Sequence, residues 1–173
     1  MKKLLKIWFK WFLFFNIVIG TFLITMYKDN TNVFEKLSSR DTTIYIVIHH
    51  TATSGTKQLI DFYNYHKTEK QFNSIAYTFI IDKLGVIEQL HKLSEKTDHV
   101  GNYNDCSIGV CLEGDFNQER PTIFQQISLV ILINYLSFEL NISKENIKPH
   151  SFFSDTECPG TNFNFINFLK YIL

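Results

Sequence analysis

Thr43-Ile44-Tyr45-Ile46-Val47-Ile48-His49-His50-Thr51 is the stretch on which the fold turns. β-Branched and aromatic residues fill it without the alternation of a half-exposed strand, so it reads as a strand buried on both faces and ending at His49. Such a strand needs a covering layer on each side. The polar residues that follow mark a loop, and Leu59, Phe62, Tyr63 and His66 then fall at helical spacing, which predicts an amphipathic helix over residues 57–70. Residues 75–82 and 86–90 read as two strands of a hairpin joined through Lys83-Leu84-Gly85. Ser107-Ile108-Gly109-Val110-Cys111-Leu112 alternates large and small side chains, predicting a strand whose small face, Ser107, Gly109 and Cys111, admits a bulky neighbour. Residues 122–140 predict a long, mostly buried helix with Pro121 near its start, and residues 163–173 a closing helix. Strands interleaved with helices give one α/β domain, a mixed central β-sheet flanked by helices.

Composition narrows the function. The chain has 173 residues, 45% of them hydrophobic. Domains commonly run about 100–150 residues, so there is room for one core and a short appendage but not for two full domains. Lys+Arg and Asp+Glu balance at 17 each. No net field is available to gather nucleic acid, so a nucleic-acid partner is not expected, and a monomer is. Cys106, Cys111 and Cys158 cannot all pair within one chain. The first two would stand about five strand rises of ~3.3 Å apart, beyond disulfide reach.

The N-terminus differs from the rest. Lys2, Lys3, Lys6 and Lys10 precede an uncharged run from Trp11 to Tyr27. Residues 7–27 supply the roughly 20 apolar positions of a membrane span if Lys10 snorkels beside Trp8 and Trp11. This predicts an N-terminal transmembrane helix: residues 1–28 as a membrane anchor with its basic end cytoplasmic, residues 29–42 as a polar linker, and residues 43–173 as a folded domain outside the cytoplasm, in the periplasm or at the cell surface. A cleaved signal peptide is the competing reading, although its apolar region is usually shorter and ends at an A-x-A-like site, and Gly20-Thr21 is the only small pair here. A buried core helix is the third, disfavoured because the stretch is apolar on all faces.

The chemistry-bearing residues are His49 and His50 at the strand end, and His150 followed eight residues later by Cys158-Pro159-Gly160. A lone histidine or cysteine is more often a structural residue than a ligand. Together, two imidazoles and one thiolate are three of the four ligands of a tetrahedral zinc, leaving one position for water. Successive strand side chains face opposite ways, so only one of His49 and His50 can turn toward a given metal.

With Ala76-Tyr77-Thr78-Phe79-Ile80-Ile81-Asp82, and with Tyr103-Asn104 ahead of Ser107 to Gly114, these motifs resemble the type 2 N-acetylmuramoyl-L-alanine amidases. That family includes phage lysozyme-like amidases and the peptidoglycan recognition proteins, and the resemblance covers residues 44–173. It implies a Zn2+ ion held by His49, His150 and Cys158, with His50 a neighbour. It further implies Tyr77 bonded to the zinc water or the reacting oxygen, and Thr156 helping to hold the developing oxyanion. His99, on the glycan rim of the groove, joins Tyr103 and Asn104 on the substrate side. The implied activity is hydrolysis of the amide between N-acetylmuramic acid and L-alanine, with peptidoglycan or muropeptides as partner. The chain also departs from the pattern. Some relatives carry lysine at the Thr156 position, many carry a Gly-Trp pair where this chain has Gln71-Phe72-Asn73-Ser74, and some carry glutamate at the Cys111 position. No general base is therefore assigned, and Glu113 reads as a solvated strand-end carboxylate, His66 as structural. Two alternatives stand beside the amidase: a peptidoglycan-binding module without catalysis, and a zinc peptidase cutting within the stem peptide.

Overall fold

The computed structural model describes residues 26–173. Nearly all of the expected membrane helix, residues 1–25, lies outside the described residues. Six strands form one mixed sheet: β1 (Tyr27–Asp29), β2 (Tyr45–His50), β3 (Phe79–Ile81), β4 (Ile87–Gln89), β5 (Ser107–Leu112) and β6 (Ile147–Pro149). Their order is β1-β4-β3-β5-β2-β6. Only the β3–β4 hairpin is antiparallel, turning through Lys83-Leu84-Gly85 as its sequence predicts. Parallel β2 and β5 lie side by side at the centre, with His49 opposite Cys111. A parallel core of this kind must be covered on both faces, which accounts for the near-continuous apolar run of β2.

The two faces carry different cargo. Ile46, Ile48, Phe79, Ile81, Ile108, Val110 and Leu112 point to one side, where they pack with Leu129, Leu132, Ile133 and Leu136 of helix α2 (Ile123–Leu140). Burying each such side chain contributes about 1.5–3 kcal/mol. Helix α2 starts at a reciprocal cap: the Thr122 hydroxyl accepts from the Gln125 amide, and the Gln125 side chain accepts from the Thr122 amide. It ends at Asn141 in the left-handed conformation. Gln125 also donates to the Glu113 carbonyl at 2.8 Å, which ties the helix to the end of β5. On the other face Ile80 and Cys111 meet Phe62 of helix α1 (Leu59–Asn64) together with Ile75 and Leu90. Helix α1 continues as a π turn over Tyr65–Glu69, so the amphipathic element predicted for residues 57–70 forms with a change of pitch.

Two expectations are corrected and a third gains detail. Residues 29–42, expected as a polar linker, have no regular element past the end of β1 at Asp29 but are tied to the domain: Phe34 stacks on Tyr63, and buried Arg40 donates to the carbonyls of Leu93, Glu95 and Ser107. Most of that stretch is exposed, in keeping with its polar composition, and Arg40 is its buried exception. Helix α2 is not mostly buried, because Phe124, Ile127, Ile131, Tyr135 and Phe138 form an outward stripe. The closing helix is only α3 (Phe165–Leu169), begun by Asn164, whose side chain accepts from the Asn167 amide.

Candidate metal centre

Strand β2 delivers His49 and His50 to opposite faces, as alternation requires. His50 turns toward α2, where its Nδ1 accepts from the Phe116 amide at 3.1 Å. His49 turns to the other face and is 1% exposed. There its ring lies 4.6 Å from that of His150, centroid to centroid, and its Nδ1 lies 3.7 Å from Cys158 Sγ. His150 and Cys158 arrive on the loop that follows β6. The Ser151 amide donates to the Cys158 carbonyl and closes that loop, while the Gly160 backbone, at φ +100°, packs against Phe116 so closely that a Cβ would meet its carbonyl carbon at 2.6 Å. The ligand atoms of His49, His150 and Cys158 all lie within 4.8 Å of one another.

This donor set fits zinc. Tetrahedral ligation with Zn–N of about 2.0–2.1 Å and Zn–S of about 2.3 Å places neighbouring ligand atoms roughly 3.3–3.8 Å apart, close to the observed cysteine–histidine separation. Protonation states agree as well. Burial holds His49 well below its ordinary range, aided by His99 and His150, and it lowers His150 too, so both imidazoles keep a lone pair at neutral pH. Burial pushes the Cys158 thiol up to about 11, against the opposing pull of the His50 amide that donates to it. A cation in the cluster would reverse that shift by stabilising the thiolate.

His99 explains how His49 is aimed. The structure places it behind His49 and not on the groove rim, at 6% exposure. Its Nδ1 lies 3.0 Å from His49 Nε2, its Nε2 lies 3.1 Å from Ser107 Oγ, and Ser107 donates to the Tyr103 carbonyl at 2.6 Å. The only arrangement in which every link has one donor runs outward from His49: Nε2–H to His99, His99 Nε2–H to Ser107, Ser107 O–H to Tyr103. That leaves His49 Nδ1 unprotonated and facing Cys158 and His150. Burial depresses the His99 imidazole to about 3, so the chain stays neutral. The bulky neighbour expected on the small face of β5 is this ring, since a Cβ on Gly109 would lie 2.8 Å from His99 Cγ.

The other expected residues divide. The Tyr77 ring lies 5.2 Å from that of His49, and burial raises its phenol well above 10, keeping it a neutral donor. Thr156 is half-buried beside the cluster, its hydroxyl accepting from the Cys158 amide at 3.3 Å. Asn104 does not face a ligand: its carbonyl oxygen accepts from the amides of His99 and Val100 and so braces the loop that carries His99. Tyr103 is 41% exposed and packs on Phe153, one member of an aromatic shelf with Tyr45 and Phe152 that sequence reasoning missed, because its members are scattered through the chain. Glu113 is buried at 1% exposure and accepts from the Lys57 amide, so it is no solvated carboxylate. His66 is buried too, and its Nδ1 accepts from the Ala76 amide.

Sheet order, strand-end position and donor set define an α/β domain with a side-chain cluster that could hold a metal ion. The chain belongs to the N-acetylmuramoyl-L-alanine amidase family, whose family model matches residues 39–161. It is 31% identical over 126 residues to peptidoglycan-recognition protein SC2 of Drosophila melanogaster, covering 68% of each chain. Peptidoglycan-recognition protein LB of the same fly is 30% identical over 125 residues, and the chain spans about half, 54%, of that relative's length. Among solved structures, the N-acetylmuramoyl-L-alanine amidase LysC from Clostridium intestinale URNW is 30% identical with a TM-score of 0.75, over 82% of this chain and 93% of that one. Peptidoglycan recognition protein-LE, solved in complex with tracheal cytotoxin, a monomeric diaminopimelic acid-type peptidoglycan, is 26% identical with a TM-score of 0.67, over 75% of this chain and 81% of that one.

Proposed function

We propose that this chain is a zinc-dependent N-acetylmuramoyl-L-alanine amidase that hydrolyses the amide between the sugar strand of bacterial peptidoglycan and its stem peptide. The observation that carries the reading is the convergence of His49, His150 and Cys158 with their ligand atoms within 4.8 Å. When bound there, zinc supplies a Lewis acid that acidifies water toward a pKa of roughly 7 and polarises a carbonyl. The residues of the chain do the rest. Cys158 and the two histidines hold the ion, His99 fixes the His49 tautomer, and the neutral Tyr77 phenol donates to the oxygen that gains charge as the carbonyl is attacked. Thr156 offers a second hydroxyl beside the same cluster. Incubating the protein with purified peptidoglycan and weighing the products tests the reading: an amidase releases intact stem peptides with a free L-alanine amine, a stem-peptide peptidase releases shorter ones, and a recognition module releases none. The last alternative is supported by the similarity to recognition proteins, one of them bound to a muropeptide. The membrane anchor in this proposal is the segment of residues 1–28, its apolar run ending as β1 begins at Tyr27, with the domain outside the cytoplasm and acting as a monomer.

A further inference from the structure

We infer that the outward face of α2 lies on the bilayer surface, so that the domain sits against the membrane with its metal cluster turned away from it. The inference rests on the anchor proposed for residues 1–28. The first supporting observation is the face itself. Phe124, Ile127, Ile131, Tyr135 and Phe138 are between 39% and 87% exposed, and no charged residue falls between Ile123 and Phe138. A groove of about 1000 Å³ between α2 and α3 adjoins that face, lined by Ile127, Ile131 and Ile166 on one part and by Arg120, Asn162 and Asn167 on another. Contiguous patches of this kind on a folded domain mark an interaction site.

The second observation says what covers it. The described chain begins at Met26, whose carbonyl accepts from the Ile87 amide and whose methyl group shares the space in front of Gly85 with the Phe124 carbonyl. The chain therefore enters the domain at the first turn of α2, and Tyr27 is already in β1. If the apolar stretch spans the bilayer as proposed, its end at Met26 holds the surface beside Phe124 near the lipid headgroups. An exposed apolar face presented at that depth takes its side chains out of water into the apolar side of the interface. The metal cluster lies on the opposite face of the sheet, with α1.

The test places an environment-sensitive fluorophore on the full chain, reconstituted in phosphatidylethanolamine–phosphatidylglycerol vesicles, at Ile131→Cys, Phe138→Cys or, on the opposite face, Glu69→Cys, each in a Cys106→Ser background. Doxyl-labelled lipid should quench the two α2 positions several-fold more than position 69. Equal quenching at all three, with the protein resisting carbonate extraction, overturns the docking while leaving the anchor intact. If carbonate releases the protein, the anchor reading fails. The docking then fails with it, whether α2 stays open to water, is covered by residues 7–25, or is covered by a second copy.

Discussion

At Cys158 the fold has built a sulfur that is of little use without a cation: burial raises its thiol to about 11, while the His50 amide donates to the sulfur from the strand end. Cys158→Ser should therefore leave the domain folded and able to bind muropeptides but strip it of zinc and of stem-peptide release, read by elemental analysis and product mass. Full hydrolysis by that variant would rule out the proposed site. Tyr77→Phe, which keeps the ring beside His49, should retain zinc and lower turnover by about 10²–10³. Gly109 offers a subtler handle. A methyl group there would sit 2.8 Å from His99 Cγ, so Gly109→Ala should push His99 off His49 Nε2 and weaken zinc binding by about 10–100-fold in a chelator competition. Unchanged affinity would show that His49 needs no partner to hold its tautomer. The grouping of His49, His150 and Cys158, with Tyr77 beside His49, was expected from the resemblance to the amidase family, strand alternation adding only that His49 and His50 face opposite ways. The inner position of His99 and the bracing role of Asn104 could not be read from the sequence, since both depend on a loop folding back under β2.

Among elements, the least expected is the segment before β2. Its Asn, Thr, Ser and Lys content reads as a tether, yet its backbone supplies an edge strand and its Arg40 side chain satisfies three carbonyls. Arg40→Ala would strip a donor from each of those carbonyls, leaving Ser107 with only its longer 3.4 Å contact to His99 Nε2, at about 1–3 kcal/mol for each one left unsatisfied. The full chain should accordingly unfold at markedly lower urea, and an unchanged midpoint would return the segment to the status of a linker. Strands β2 and β5 and the β3–β4 hairpin were legible because β-branched runs and a Gly85 turn leave a local signature. Helix α2 was legible in extent but not in burial, for composition alone does not tell an apolar side chain facing a sheet from one facing outward. A three-residue strand such as β1 leaves no local pattern at all; its partner creates it.

Taken whole, the molecule keeps all six of its histidines below their ordinary range, mainly through burial. A histidine whose folded pKa is depressed contributes stability that is fully present above its unfolded value of 6.5 and is lost as pH falls toward its folded value, about 4 for His66 and about 3 for His99. Glu113, raised by burial, works the other way, but it is one group against six. The metal-free protein should therefore lose thermal stability steadily from pH 6.5 downward, before most carboxylates titrate, and a melting temperature flat between pH 6.5 and 5 would contradict the buried-neutral assignment. The pairing of β1 with β4 has a consequence of another kind. Enzymes that work on a polymer mesh from a long leash can search its depth; a domain clasped to an attachment point at residue 26, as the proposed anchor would make it, cannot. If Met26 marks the membrane boundary, the cutting radius is the thickness of one small domain, about 30–40 Å for a radius of gyration near 15 Å. The substrate is then selected by its distance from the lipid, and strands in the outer wall are spared however good their chemistry.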